Sequence, residues 1–141
     1  MDSKASAVWK GDLRGGSGTI SAASGVLSDA AYTFATRFEG SAGTNPEELV
    51  AAAHAGCFSM ALSHGLAQAG HTPDHVSTAA TVSLEQVEGG FAVTKIHLEV
   101  SAKVPGIDAA GFDKAANDAK AGCPISKLMN AEISMNAVLE G

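Results

Sequence analysis

The sequence predicts an α+β fold built as one domain over residues 1–141. Two observations predict it. Short segments near both ends and after Pro73 alternate between apolar and polar residues, which is typical of β-strands. Two longer segments repeat apolar residues every three or four positions, which is typical of helices. A chain of 141 residues that is 45% hydrophobic can bury a core of its own, and the order of its segments places strands and helices in one α+β domain.

The N-terminal third contains three predicted strands. The stretches "KASAVWKG" and "SGTISAAS" alternate weakly around glycine-rich joints, and "AAYTFATRFEG" adds a third strand through the β-favouring residues Tyr32, Phe34 and Ala35. We therefore expect a small antiparallel sheet ahead of the longest helical segment.

The longest predicted helix is "TNPEELVAAAHAGCFSMALSHGLAQAG", from Thr44 to Gly70. Thr44 or Asn45 can cap it, Pro46 suits its first turn, and Gly70 ends it. One apolar stripe is formed by Leu49, Ala53, Cys57, Met60, Ala61 and His64. His, Ser or Glu interrupts every long apolar stretch of the chain, so we expect none of membrane-spanning length.

The remaining segments complete the predicted fold. The stretches "STAATVSLEQV" and "FAVTKIHLEVSAKV" flank a compact turn at Glu88-Gly89-Gly90 and predict a β-hairpin. Asp108 can cap a second helix that Gly122 ends. The stretch "PISKLMNA" predicts a short helix begun by Pro124, and "EISMNAVLE" predicts a final strand.

Composition excludes several classes of function. The formal net charge of -6 and the absence of any basic run argue against binding to nucleic acid. The N-terminus has no apolar core of a secretory signal, and two cysteines are too few for a secreted disulfide framework. We therefore expect a cytoplasmic protein without a membrane or nucleic-acid partner.

Cys57 has three interpretations, which the residues alone leave open. It can be a small buried side chain, since free cysteine is among the most buried residue types. It can ligate a metal together with His54 and His64, although structural zinc uses four ligands. It can also be a nucleophile. An ordinary thiol is only about 3% ionised at pH 7, so a nucleophile needs a nearby cation. Among the nine cations of the chain, the two arginines are Arg14 and Arg37.

Cys123 precedes the proline-started helix in "AGCPISK", where backbone N–H groups stabilise an anion. It is either a capping or small buried residue, or a second redox-active thiol. One reactive cysteine and one that condenses with its sulfenic acid are the minimum requirement of a two-cysteine thiol peroxidase.

Several of these motifs together resemble the OsmC/Ohr family, the osmotically inducible proteins and organic hydroperoxide resistance proteins. The stretch "TNPEELVAAAHAGCFSMAL" resembles the signature helix of the family, and "CPISKLM" resembles its second-cysteine motif. The stretches "WKGDLRGGSGTIS" and "TRFEG" resemble the N-terminal strands of the OsmC branch, and the histidine in "AAAHAGCF" favours that branch. The resemblance covers the chain from about Trp9 to Leu139.

The resemblance implies a set of site residues and a fold. Cys57 is the expected peroxidatic cysteine and Cys123 the resolving one, with Glu47 and an arginine completing the site. In OsmC-like chains the arginine is expected at Arg37, whereas an Ohr-like arrangement would use Arg14. The implied fold has antiparallel sheets packed around a long central helix in an intertwined homodimer.

The resemblance also implies an activity. The expected protein is an oxidative-stress enzyme that reduces organic hydroperoxides, and hydrogen peroxide more weakly, to alcohols through a Cys57 sulfenic acid and a Cys57–Cys123 disulfide. An external dithiol, of the lipoyl type or similar, would reduce the disulfide, and no bound cofactor or metal is expected. Residues such as Phe58, Met60, Leu62 or Met129 would line an apolar pocket that favours organic peroxides. The alternative is a non-enzymatic dimeric redox sensor or binding protein that uses the same thiols.

Overall fold

Six strands and four helices follow one another along residues 1–141, all of which the computed structural model describes. The elements are β1 Ala5–Lys10, β2 Ser17–Ala22, β3 Ala30–Tyr32, α1 Phe34–Phe38, α2 Pro46–Gln68, β4 His75–Val87, β5 Gly90–Lys103, α3 Ala109–Gly122, α4 Pro124–Leu128 and β6 Glu132–Leu139. Their order confirms the predicted α+β class. The chain divides into two compact units, Met1–Leu49 and Val50–Gly141.

The first unit contains an antiparallel sheet in the order β1-β2-β3. Two aromatic residues pack on its surface, since the rings of Trp9 and Tyr32 lie 5.2 Å apart. Both rings approach Gly18 of β2, where an added Cβ would lie 2.6 Å from the Tyr32 ring and 2.7 Å from the Trp9 ring. Only glycine leaves room for this aromatic pair.

The prediction of one strand across "AAYTFATRFEG" is wrong beyond Tyr32, because a capping box starts helix α1 there. The Thr36 N–H donates to Thr33 Oγ1 over 3.2 Å, and the Thr33 N–H donates to Thr36 Oγ1 over 2.9 Å. These two reciprocal hydrogen bonds satisfy backbone groups that a helix start leaves free, and they outweigh the β preference of the aromatic residues. The arginine of "TRFEG", Arg37, therefore lies in the last turn of a helix and not on a strand.

Helix α2 confirms the predicted long helix. The Glu48 N–H donates to Asn45 Oδ1 over 2.8 Å, which caps the helix start as expected. In the second unit, the buried residues of α2 repeat every four positions. Three of them, Phe58, Leu62 and Leu66, join a core with residues of β5 and α3 that includes Ile96, Leu98, Val100, Phe112 and Ala116.

The expected absence of a membrane-length apolar segment is wrong for α2. This helix has 23 residues, and an 18-residue window of it reaches a mean hydropathy of 1.3, so by length and composition alone it could cross a membrane. Alanine-rich turns keep the mean high even though His and Ser interrupt the stretch. Only 22% of the window is buried within the chain, so much of the apolar surface of α2 lies open in a single copy.

The second sheet has the order β4-β5-β6. The hairpin of β4 and β5 confirms the prediction, with Val87 paired to Gly90 across the turn. The last strand, β6, pairs parallel to β5, so this sheet is mixed and the expectation of purely antiparallel sheets is wrong here. A parallel neighbour needs a long crossover, which α3 and α4 provide between the two strands. Asp108 caps α3 by accepting the Gly111 N–H over 2.7 Å.

Candidate active site

The two cysteines meet in the second unit. Cys57 Sγ lies 3.0 Å from Cys123 Sγ, although the residues are 66 positions apart. Both thiols are free; Cys57 is half-buried on α2 and Cys123 is fully buried just ahead of α4. A disulfide has a sulfur–sulfur distance of about 2.05 Å, so a shift of roughly 1 Å would join the two residues.

The first turn of α4 surrounds both sulfurs with backbone donors. Pro124 occupies the start of this helix, and the free N–H groups that follow it have no partner inside the helix. The Ser126 N–H donates to Cys123 Sγ over 3.5 Å, and the Ile125 N–H hydrogen-bonds the sulfurs of both cysteines. The sequence motif "CPIS" thus forms one side of a thiol pair.

The surroundings shift the pKa values of the two thiols in opposite directions. Burial raises the pKa of Cys57, the hydrogen bond with Cys123 raises it further, and the Ile125 N–H only partly offsets these effects. Burial acts to raise the pKa of Cys123 too, but hydrogen bonds with Cys57, with Ser126 and with the Ile125 N–H outweigh it and lower that pKa. Within the second unit Cys123 is therefore the more acidic thiol, and a Cys57 thiolate needs further stabilisation.

Two further residues lie beside this thiol pair: sequence reasoning considered His54 only as a possible metal ligand, and it missed Ser126. His54 is fully buried, and its Nε2 lies 2.7 Å from Ser126 Oγ, while its Nδ1 has no hydrogen-bond partner. Burial lowers the pKa of His54, so its ring is neutral near pH 7. Spacing could have indicated both contacts. His54 lies three positions before Cys57 on α2, where such residues are neighbours, and Ser126 lies three after Cys123, whose side chain at the helix start accepts the Ser126 N–H.

In the first unit Arg37 and Glu47 form a two-point ion pair. Arg37 Nη2 donates to Glu47 Oε1 over 2.7 Å, and Arg37 Nε donates to Glu47 Oε2 over 3.1 Å. The Glu47 side chain is only 12% exposed and the Arg37 side chain 34% exposed. Such a fork-like pair fixes the plane of the guanidinium and is stronger than a single contact.

The guanidinium groups of the two arginines stack over adjacent aromatic rings. Arg14 lies 4.9 Å above the Phe34 ring and Arg37 lies 5.3 Å above the Phe38 ring, and the two rings are 4.7 Å apart. A cleft of about 400 Å³ opens beside them, lined by Trp9, Gly11, Leu13, Tyr32, Thr33, Phe34, Arg37 and Phe38. Both arginines therefore belong to one aromatic cluster, and Glu47 pairs with Arg37.

The predicted site residues thus form two pairs, Cys57 with Cys123 and Arg37 with Glu47, one in each unit. The metal interpretation lacks a ligand set, since no three His, Cys, Asp or Glu side chains are arranged to hold an ion. The expected pocket lining is wrong for Phe58 and Leu62, which lie fully buried in the core because the four-residue repeat of α2 points them there.

Comparisons with known proteins identify the family. The family model described as OsmC-like protein matches residues 38–137. Peroxiredoxin OsmC of Escherichia coli (strain K12) is 55% identical over 137 residues, which cover 97% of this chain and 96% of that protein. The organic hydroperoxide resistance protein of Xanthomonas axonopodis pv. citri (strain 306) is 35% identical over 101 residues, covering 71% of this chain and 69% of that protein.

Solved structures agree with these relatives. The crystal structure of the organic hydroperoxide resistance protein OhrB of Bacillus subtilis superimposes with a TM-score of 0.71 at 28% identity, covering 96% of this chain and 98% of that one. An OsmC-like protein from Mycoplasma pneumoniae, only 16% identical, shares the fold with a TM-score of 0.75 and covers 100% of this chain and 99% of that one. The chain therefore belongs to the OsmC-like protein family and is a peroxidase.

Proposed function

We propose that this peroxidase reduces organic hydroperoxides, and hydrogen peroxide more weakly, by two-cysteine chemistry in cytoplasmic defence against oxidative stress. The observation that carries the proposal is the 3.0 Å separation of Cys57 Sγ and Cys123 Sγ. Relatives that carry the name organic hydroperoxide resistance protein support the substrate class.

The proposed reaction has three steps. The Cys57 thiolate attacks the distal oxygen of ROOH; the O–O bond breaks, the alkoxide takes a proton to leave as ROH, and Cys57 becomes a sulfenic acid. The Cys123 sulfur then attacks the Cys57 sulfur, the S–O bond breaks, and water and the disulfide form. An external dithiol, of the lipoyl type or similar, returns two electrons by thiol–disulfide exchange. No bound cofactor takes part.

The first step requires a cation beside Cys57, because burial raises the pKa of this thiol. We assign that role to the Arg37 guanidinium, oriented by Glu47. A carboxylate near the thiol would by itself favour the neutral form, so Glu47 helps only with the guanidinium between the two groups. The two-point pair of Arg37 with Glu47, whose side chain is only 12% exposed, supports this choice over Arg14.

We further propose that a homodimer completes each site. Glu47 and Cys57 are ten residues apart on the uninterrupted helix α2, which separates them by about 15 Å along its axis. This exceeds the reach of a glutamate side chain. Two copies of α2 related by a two-fold axis would bring the Arg37–Glu47 pair of one subunit toward Cys57 of the other.

The exposed surface of α2 supports this dimer. Only 22% of its apolar window is buried within one chain, and the Met60 side chain is 76% exposed. Large exposed apolar surfaces of soluble proteins usually mark interaction sites, and the chain has 45% hydrophobic and only 17% charged residues. A second copy of this chain would cover the exposed surface of α2 and would also supply the cation that Cys57 requires.

Steady-state turnover tests the proposed function. The reduced protein is mixed with excess tert-butyl hydroperoxide and dihydrolipoamide, and peroxide loss is followed over many equivalents. A peroxidase consumes peroxide until the dithiol is exhausted, and replacing the dithiol with a monothiol should slow turnover. A redox sensor would consume about one equivalent and stop, and that result would favour the alternative function.

A further inference from the structure

A series of hydrogen bonds between buried groups links α2 to the second cysteine, Cys123. His54 and Cys123 are fully buried and Ser126 is 7% exposed. His54 Nε2 lies 2.7 Å from Ser126 Oγ, and the Ser126 side chain in turn hydrogen-bonds Cys123. Groups so deeply buried rarely persist without a partner or a task, since an unsatisfied polar atom is costly.

The unpaired ring nitrogen of His54 indicates which group donates in each of these hydrogen bonds. His54 Nδ1 is buried without a partner, and orphaned buried N–H groups are rarer than under-satisfied acceptors. The single ring hydrogen of the neutral imidazole is therefore assigned to Nε2. The Nε2–H then donates to Ser126 Oγ, which leaves the Ser126 hydroxyl hydrogen free to donate to Cys123 Sγ.

We propose that His54 is a positioning residue for the resolving step: through the Ser126 hydroxyl it holds the Cys123 sulfur as the deprotonated nucleophile that attacks the Cys57 sulfenic acid. The inference rests on the proposed function, in which Cys123 resolves the sulfenic acid. The Cys123 proton is released to solvent, the S–S bond forms as the S–O bond breaks, and the departing hydroxide takes a proton to become water.

The contacts limit this effect to the second step. Ser126 donates to Cys123 through both its N–H and its side chain, whereas the hydrogen-bond partners of Cys57 are Cys123 and the Ile125 N–H. The lowered pKa of Cys123 agrees with donors directed at its sulfur. Loss of His54 or Ser126 should therefore slow disulfide formation and leave sulfenic acid formation nearly as fast.

Single-turnover kinetics separate the two steps. The reduced protein receives one equivalent of tert-butyl hydroperoxide without dithiol; dimedone trapping reports the Cys57 sulfenic acid, and loss of free thiols reports the disulfide. We expect His54→Leu and Ser126→Ala to slow disulfide formation about tenfold at pH 7, with recovery as the pH rises. His54→Gln keeps an N–H donor near Nε2 and should restore most of the rate. His75→Leu, at an exposed histidine of β4 outside the exposed surface of α2, is the matched control.

The outcomes distinguish the inference from the proposed function. Wild-type rates and an unchanged pH profile in Ser126→Ala and the His54 variants would overturn the inference and leave the proposed function intact. A slowing that no rise in pH relieves would also overturn it, because that pattern indicates damage to packing. If His54→Leu does not fold, Ser126→Ala and His54→Gln decide by the same criteria. A wild-type protein that forms no sulfenic acid would overturn both proposals.

Discussion

The environments of Cys57 and Cys123 differ although their sulfurs lie 3.0 Å apart. Cys123 is fully buried, and hydrogen bonds with Cys57 and with the first turn of α4 lower its pKa. Cys57 is half-buried and its pKa is raised, mainly by burial. The partly accessible thiol can meet a peroxide, whereas the buried one can meet only its neighbour. This difference supports distinct roles for the two cysteines.

Replacing each cysteine in turn should have a different effect on peroxide consumption. Cys57→Ser should abolish peroxide consumption, because serine cannot provide the thiolate. Cys123→Ser should still consume about one equivalent and accumulate a sulfenic acid at Cys57, since only the resolving sulfur is lost. Mass spectrometry after dimedone trapping measures both results. Equal residual turnover in the two variants would contradict the assignment.

Arg37 should control how much Cys57 is ionised at neutral pH. Arg37→Met removes the cation, so the pKa of Cys57 should rise, the thiolate fraction at pH 7 should fall, and the rate should recover partly as the pH is raised. An increase of one pKa unit would reduce the rate roughly tenfold at pH 7. The measurement is the pH dependence of sulfenic acid formation.

Arg14→Met is the matched control for this experiment, because Arg14 also stacks on the aromatic cluster but Glu47 pairs with Arg37. Its pH profile should follow the wild type. If Arg14→Met shows the shifted profile instead, the site uses the Ohr-like arrangement.

Among the elements, the five-residue helix α1 positions one of the proposed site residues. It carries Arg37 in its last turn, and the capping box of Thr33 and Thr36 defines where the helix begins. Helices this short have little intrinsic stability, so their caps matter more than in long helices. The position of the Arg37 guanidinium thus depends on a local hydrogen-bond motif and on the carboxylate of Glu47.

Removing the cap of α1 should therefore lower the stability of the protein and also disturb the position of the Arg37 guanidinium. Thr33→Ala should cost about 1 kcal/mol of unfolding free energy, because the Thr36 N–H loses its acceptor. Thr33→Ser keeps the hydroxyl and should remain near the wild type. Urea unfolding gives the stabilities, and the single-turnover rate at pH 7 reports the effect on Arg37. Equal stability of all three proteins would show that the cap contributes nothing.

At the scale of the whole molecule, the proposed dimer has a direct consequence for activity. If Glu47 of one subunit serves Cys57 of the other, two inactive chains can complement each other. A heterodimer of a Glu47→Ala chain and a Cys57→Ser chain contains one site with both changes and one site with neither. We therefore expect verified heterodimers to recover about half of the wild-type turnover.

The complementation is measured on differently tagged chains that are mixed, refolded together and purified through both tags. The matched controls are the two homodimers, each of which should be inactive. Complete absence of activity in the doubly purified heterodimer would contradict a shared site.

Local chemistry determined most of the elements of this protein. The three- and four-residue repeat with Asn45, Pro46 and Gly70 predicted α2, and alternation about Glu88-Gly89-Gly90 predicted the hairpin, because these signals act between residues close in the chain. The motifs around Cys57 and Cys123 likewise predicted the family. The helix α1 was also encoded locally, in the spacing of its two threonines, but the aromatic residues beside them hid it.

Only the tertiary structure decided which distant side chains meet. The 3.0 Å approach of two sulfurs 66 positions apart, the contact of His54 with Ser126 and the parallel pairing of β6 with β5 have no signal within a local window. The same holds for the pKa shifts of the two thiols, since burial, the contact between the thiols and the first turn of α4 set them jointly. Sequence periodicity predicts that a segment is a helix or a strand. The face that it buries, which for α2 contains Phe58, Leu62 and Leu66 and not the predicted stripe, depends on how all the elements pack together.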